Sequence, residues 1–241
     1  MEVEPLYQLT AHCPACQHDF KTSRIRPKFK QVERMDSDFC PHYKQEALNP
    51  DYYVVQVCDR CGCATTEHAK KTWSEQDVAQ FNAQVSAHFS SRDYGGERTL
   101  AQAIETYKLA LLTAQTVNEN SRIIAGLLHH MAWLYRYQGN QQQEERYMRF
   151  ALDAYREVYE RDAGSDVNDA RLIYMMGELH RRLGEFNEAA MHFSRLIHDK
   201  RIMDAAMIRA AREQWAEMRE QMHKLKLEVP DEMFEEKKFT I

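Results

Sequence analysis

The segments MAWLYRYQGNQQQEERYMRFAL (131–152) and MGELHRRLGEFNEAAMHFSRLI (176–197) decide the fold class of this chain. Aligned on Gly139 and Gly184, they set Leu134 against Leu179, Tyr135 against His180, Met148 against Phe193 and Ala151 against Leu196, at a period of 45 residues. In both, apolar residues recur at helical spacing, stop at a glycine and resume beyond it, as two helices joined by a tight turn would. The stretch LAQAIETYKLALLTAQ (100–115) places Ala103, Tyr107 and Ala110 where the second copy has Ala189, Phe193 and Leu196. A small residue on the first helix (Ala132, Gly177) and small-x-x-x-aromatic-x-x-small on the second form a tetratricopeptide-like pattern. That repeat usually spans about 34 residues, so the helices here must be longer. Gln141 and Glu144 also depart from the pattern, standing where the other copy has Phe186 and Ala189.

Working outward, helical character extends back to Ser74-Glu75-Gln76-Asp77, an N-cap followed by acids that favour a helix N-terminus. Breaks between helices are expected at 93–96, 117–120, 139–140, 162–165 and 184–185. Before residue 74 the periodicity is lost and all six cysteines occur. Tyr52 to Val57, β-branched and aromatic after the turn signal Asn49-Pro50-Asp51, predicts a strand, and Phe20 to Val32 a weaker one. The expected architecture is mainly α: a small β, zinc-ribbon-like module over 1–73, a tetratricopeptide-like repeat domain over 74–229, and a charged tail over 230–241.

The N-terminal module carries the chemistry. Cys13-Pro14-Ala15-Cys16 and Cys58-Asp59-Arg60-Cys61-Gly62 are two C-x-x-C pairs. Each can bring two thiolates to one ion from the same turn, and two facing turns complete a tetrahedral four-sulfur shell. Zinc is the default ion for such a shell, and iron in a rubredoxin-like site is the alternative. A closed shell leaves no position for a water nucleophile, which makes the metal structural. The 41 residues between Cys16 and Cys58 exceed the roughly 15–20 of a simple ribbon, so an insert is expected there. Cys40, His42, Cys63 and His68 have spacings that permit a second metal site. Against that, Cys40 reads equally as a small buried hydrophobe and Cys63 as a knuckle residue. Asp36 and Asp38 flank a turn, where aspartates cap backbone N–H groups, pair with a neighbour such as Arg34, or bind a cation.

Mean hydropathy is −0.69, charged residues make up 29% and net charge is −5. This describes a water-soluble helical protein, not a general binder of polyanions. No apolar run reaches the ~20 residues that span a bilayer, and the acidic start lacks the features of a secretory signal. A cytoplasmic, reducing location is therefore expected, in which C-x-x-C pairs bind metal instead of forming disulfides. Lys21, Arg24, Arg26, Lys28 and Lys30 cluster locally and could contact phosphates, or could form the solvated face of a strand. There is no glycine-rich phosphate loop, G-x-S-x-G or H-E-x-x-H. Repeat position nominates Tyr107, His130, Tyr137, Arg181 and His192 as a partner groove.

The stretches CPACQHDFKTSRIR, ERMDSDFCPHY and NPDYYVVQVCDRCGCA resemble a bacterial family known only as a domain of unknown function. The markers are Cys13, Cys16, Asp36, Asp38, Cys40, Pro41, Tyr43, Asn49, Pro50, Cys58, Cys61 and Gly62. The resemblance implies a metal-held N-terminal module joined to a tetratricopeptide-like region, and it brings no activity. Gln17 stands where a knuckle glycine is expected, and Cys63 where an aromatic residue is. The resulting expectation is a non-enzymatic zinc-binding interaction protein that takes a protein or peptide through its helices. The alternative is a nucleic-acid-associated regulator using the basic stretch.

Overall fold

The computed structural model describes residues 3–161 and 170–227. It is mainly helical, with small antiparallel sheets towards the N-terminus. Among the described residues no helix is long and apolar enough to cross a membrane. The chain forms two compact units. One comprises the residues up to Asp36 together with Cys40–Ala151, the other Ser37–Phe39 together with the residues from Leu152 onward.

In the first unit, β1 (Leu6–His12) pairs with β2 (Asp19–Ile25), from Leu6 opposite Ile25 to His12 opposite Asp19. β3 (Val32–Met35) pairs with β4 (Pro41–Tyr43) across a bulge between Val32 and Arg34. β5 (Gln56–Val57) pairs with β6 (Ala64–Thr65). Each is a separate two-stranded ribbon, too small to be stable alone in water. Helices supply the missing burial. α1 (Glu75–Gln84) starts in a capping box of Ser74 and Asp77, and α2 (Leu100–Thr116) in one of Thr99 and Gln102. Asn120 caps α3 (Ser121–Tyr137). Ile25, Tyr53, Val55 and Val57 of the β region share one core with Ala103, Tyr107 and Ala110 of α2 and Met131 and Leu134 of α3.

The compact units therefore divide the chain elsewhere than after residue 73. The ribbons cannot bury their apolar faces on one another, and α2 and α3 cover them. The Tyr52 to Val57 stretch also differs from the expected strand. Asn49 accepts a hydrogen bond from the Asp51 N–H at 2.8 Å and Pro50 opens a 3-10 turn over Pro50–Tyr53, leaving only Gln56 and Val57 paired. The guanidinium of buried Arg98 takes the Tyr52 and Val55 carbonyls at 3.0 and 2.7 Å, satisfying acceptors that a strand partner would otherwise meet. Similarly β2 stops at Ile25, because Pro27 begins a 3-10 turn over Pro27–Phe29.

α4 (Gln141–Arg161) contributes its first eleven residues, 141–151, to the first unit and the remainder to the second. The second unit adds α5 (Ala170–Arg182), α6 (Phe186–His198) and α7 (Ala205–Lys224). α5 is buried over almost its whole length, with α6 and α7 packed on it. Ser37–Phe39 docks on α5: the Ser37 hydroxyl donates to Glu178 at 2.6 Å, the Tyr174 hydroxyl donates to the Ser37 carbonyl at 2.8 Å, and Asp38 pairs with Arg182 at 3.3 Å. The glycine turns fall where the sequence places them. Gly139 and Gly184 have φ of +71° and +77°, and the N–H one residue later returns to the Tyr135 and His180 carbonyls at 3.0 and 2.9 Å. This is the left-handed helix ending that glycine favours. The break at 162–165 and the 230–241 tail lie outside the described residues.

Candidate metal centre

The two C-x-x-C pairs occupy matched positions, each at the tip of a hairpin. Cys13-Pro14-Ala15-Cys16 lies between β1 and β2, and Cys58-Asp59-Arg60-Cys61 between β5 and β6. Their backbones fold alike. The Gln17 N–H bonds the Cys13 carbonyl at 3.0 Å, as the Gly62 N–H bonds the Cys58 carbonyl at 2.9 Å. The Cys13 N–H returns to His18 and the Cys58 N–H to Cys63, both at 2.9 Å. This fold needs a left-handed residue after the second cysteine, and φ is +58° at Gln17 and +74° at Gly62. Gln17 offsets the strain of that conformation by donating to the Pro14 carbonyl at 3.0 Å and bonding His12 at 2.8 Å.

The turns bring four sulfurs within 4.8 Å of one another, with Cys13 and Cys61 3.5 Å apart and Cys16 and Cys58 3.7 Å apart. All are free thiols, and Cys13, Cys58 and Cys61 are buried. Hydrogen bonds from Cys58, then Cys61 and Cys63, pull the Cys13 pKa down. Sharing with Cys13 pushes Cys58 up to about 12 and Cys61 and Cys63 upward as well. A divalent ion at its centre would stabilise all four thiolates. The four cysteines can hold a metal.

The remaining nominated residues disperse. Cys63 is buried in the same cluster as Cys13, Cys58 and Cys61, and His68 is exposed. Cys40 and His42 lie together in a separate group with Asp36, their ligating atoms within 4.8 Å. Asp36 bonds His42 at 2.9 Å, Arg136 at 2.9 Å and Arg34 at 2.7 Å. Burial raises the Asp36 pKa, but the His42 hydrogen bond and the Arg136 charge outweigh it and hold the carboxyl below its usual value. Neither Asp36 as His42's neighbour nor Arg136 as its anchor was visible from spacing. Arg136 is 100 residues from Asp36, and only the Asp36/Arg34 pairing had a local signal.

None of the five groove residues is exposed. The Tyr107 hydroxyl is within hydrogen-bonding distance of the Asp51 carbonyl, at 3.0 Å, and of His130, at 2.9 Å. The Tyr137 hydroxyl lies 2.7 Å from the Pro41 carbonyl and 3.1 Å from the Asp51 carboxylate, which burial pushes up to about 6. Arg181 pairs with fully buried Glu178 at 2.8 Å, and His192 stacks on His180 with centroids 5.4 Å apart. Of the five basic residues, Lys21, Lys28 and Lys30 are exposed. Arg24 donates to the Tyr53 carbonyl and Arg26 to the Glu4 carbonyl, the latter at 3.0 Å. A cleft of about 830 Å³ opens in the first unit, lined among others by Arg34, His42, Tyr43, Asn49, Arg136 and Tyr137.

No curated protein and no solved structure matches the chain. Residues 6–218 match the model of a family described as an uncharacterised protein conserved in bacteria, DUF2225. The match begins before the first cysteine pair and ends within α7, spanning both cysteine hairpins and the helices after them. The chain belongs to this bacterial family of uncharacterised proteins, DUF2225.

Proposed function

We propose that Cys13, Cys16, Cys58 and Cys61 hold one structural zinc ion, and that the chain is a non-enzymatic interaction protein. The sulfur geometry carries the metal assignment. Zinc–sulfur bonds of about 2.3 Å in a tetrahedron separate the sulfurs by about 3.8 Å, beside the 3.5 and 3.7 Å found here. Two hairpin tips with matched backbone hydrogen bonds suit a closed, non-catalytic shell. The ion would staple ribbons that are individually too small to persist.

The helices would supply the interaction surface. A tetratricopeptide-like reading draws support from the aligned positions. Leu134 and Leu179 are both fully buried, as are Ala151 and Leu196, and Gly139 and Gly184 end their helices alike. Recognition of a protein or peptide would fall to other side chains than the five nominated by repeat position, since Tyr107, His130, Tyr137 and Arg181 have their polar groups engaged internally and His192 is stacked on His180. The phosphate-contact reading is weaker, since two of its five cations serve backbone carbonyls. Metal analysis of protein purified without added metal tests the first element, with about one zinc equivalent expected at the four cysteines. Affinity capture at low and high salt tests the second. A protein partner retained at high salt supports it, whereas nucleic-acid binding lost with salt overturns it in favour of the phosphate reading.

A further inference from the structure

We propose that Asp36, Cys40 and His42 form a second metal site, for a divalent first-row transition ion, with an open coordination position. Their ligating atoms lie within 4.8 Å of one another and supply a carboxylate, a thiolate and an imidazole. Three protein ligands of this mixed kind, with a fourth position free, are the ligand set of an open zinc site and not of a closed structural one. The local fold brings them together. The Asp36 N–H bonds the Cys40 carbonyl at 2.9 Å, and β4 places His42 opposite Arg34. Cys40 is fully buried, His42 and Asp36 mostly so.

The surroundings match what supports a metal ligand. Arg136 fixes Asp36 at 2.9 Å and is itself held by Glu144 at 2.7 Å, leaving a carboxylate oriented yet with lone pairs to spare. The Tyr137 hydroxyl lies 3.5 Å from the Cys40 sulfur. Arg34 touches His42 Nδ1 at 3.3 Å, a longer contact than the 2.9 Å between His42 and Asp36, from a side chain that is itself largely exposed. Turning Arg34 away lets Nδ1 carry the proton and leaves Nε2, beside Asp36, as the ligand atom. His42, Arg136 and Tyr137 line the 830 Å³ cleft, which gives the ion an entry path and its open position room for a water or anionic oxygen donor.

The site shares no ligand with the four-cysteine centre, and its test separates the two. Metal-free, reduced full-length protein is titrated with Zn²⁺ and, in parallel, with Co²⁺. Two equivalents are expected. Cobalt bound to four thiolates should absorb strongly in the thiolate-to-metal region, while the second equivalent should add about a quarter of that absorbance, one sulfur against four. Asp36→Asn and His42→Gln should each bind one equivalent and keep the four-thiolate band. Saturation of the wild type at one equivalent overturns the proposal, as does a His42→Gln protein that still takes two. Should the variants fail to fold, the wild-type cobalt titration decides alone: a second equivalent with the one-sulfur signature supports the site, and its absence overturns it. Loss of the four-thiolate band itself would count against the structural zinc and leave this site standing.

Discussion

Two residues in equivalent places on the hairpin tips should respond to substitution very differently. Gly62 has φ of +74°, and a Cβ built there would lie 2.5 Å from the Phe89 ring. Gly62→Ala thus combines left-handed strain, about 1–2 kcal/mol, with a clash against an aromatic side chain. A fall in the thermal midpoint and weaker retention of any metal held by the four cysteines are expected, and an unchanged melt would show that the turn is not needed as drawn. Gln17 already bears that strain at φ +58°. Gln17→Gly relieves it but loses the bonds to Pro14 and His12, so its midpoint should move far less than that of Gly62→Ala. At this scale the cysteines were legible because a C-x-x-C pair encodes its geometry in four consecutive residues. Asp36 was legible as a partner of Arg34 but not of His42 or Arg136, because those contacts exist only once β3, β4 and α3 have assembled.

The helix crossing of α5 with α6 turns on Gly177, where a Cβ would meet the Phe193 ring at 2.8 Å and the His192 Cβ at 3.1 Å. Phe193 is fully buried and has no room to yield. Gly177→Leu should destabilise strongly, since overpacking costs about 1–3 kcal/mol or more. Gly177→Ala should also lower the midpoint, because the clash works against a helix-propensity gain of about 1 kcal/mol. A thermal melt showing either variant at or above wild type would mean the helices do not cross closely there. On the same pair of helices, burial lowers the His192 pKa to about 4, reinforced by His180, Arg156 and Arg195, while Glu185 faces His180. A histidine whose pKa is lower when folded binds fewer protons than the unfolded chain between its ordinary value and about 4. Stability should therefore fall as pH drops through that window. His192→Gln should flatten the decline, as read from denaturant midpoints at several pH values, and an identical pH profile would exclude His192 as a cause. Helix ends were readable here because Gly139 and Gly184 carry their own signal. The Tyr52 to Val57 stretch was not, because Arg98, more than forty residues on, claims the carbonyls that decide its form.

Across the whole chain, the placement of the cysteines inside a helical core sets what metal loss should do. Cys13, Cys58 and Cys61 pack with Phe81 and Val85, at and just beyond α1, and with Val117 at the end of α2. Losing one thiolate forfeits much of a binding energy of roughly 10 kcal/mol or more. Cys58→Ser should thus reduce hydrogen-exchange protection in α1 and α2 as well as in the hairpins, while α5 to α7 keep theirs. Equal loss throughout would make the chain one cooperative unit, and loss confined to the hairpins would make the ribbons separable. The boundary expected after residue 73 marks a real change in composition. It is not where packing divides, because the partners that complete the β region's core, such as Tyr107 and Met131, come from later helices that look self-sufficient in sequence. The order of the hairpins along the chain has one more consequence, and it concerns chain entropy. An ion clasped by Cys16 and Cys58 closes a loop of 41 residues, a restriction of the unfolded ensemble comparable to a disulfide's, roughly 4 kcal/mol by loop length. Asp36, Cys40 and His42 all lie inside that loop. Closing it shrinks the space those three side chains explore before they meet, so occupancy at the hairpin tips would favour assembly of the inner ligand set without any contact between the two, a cooperativity written in topology alone.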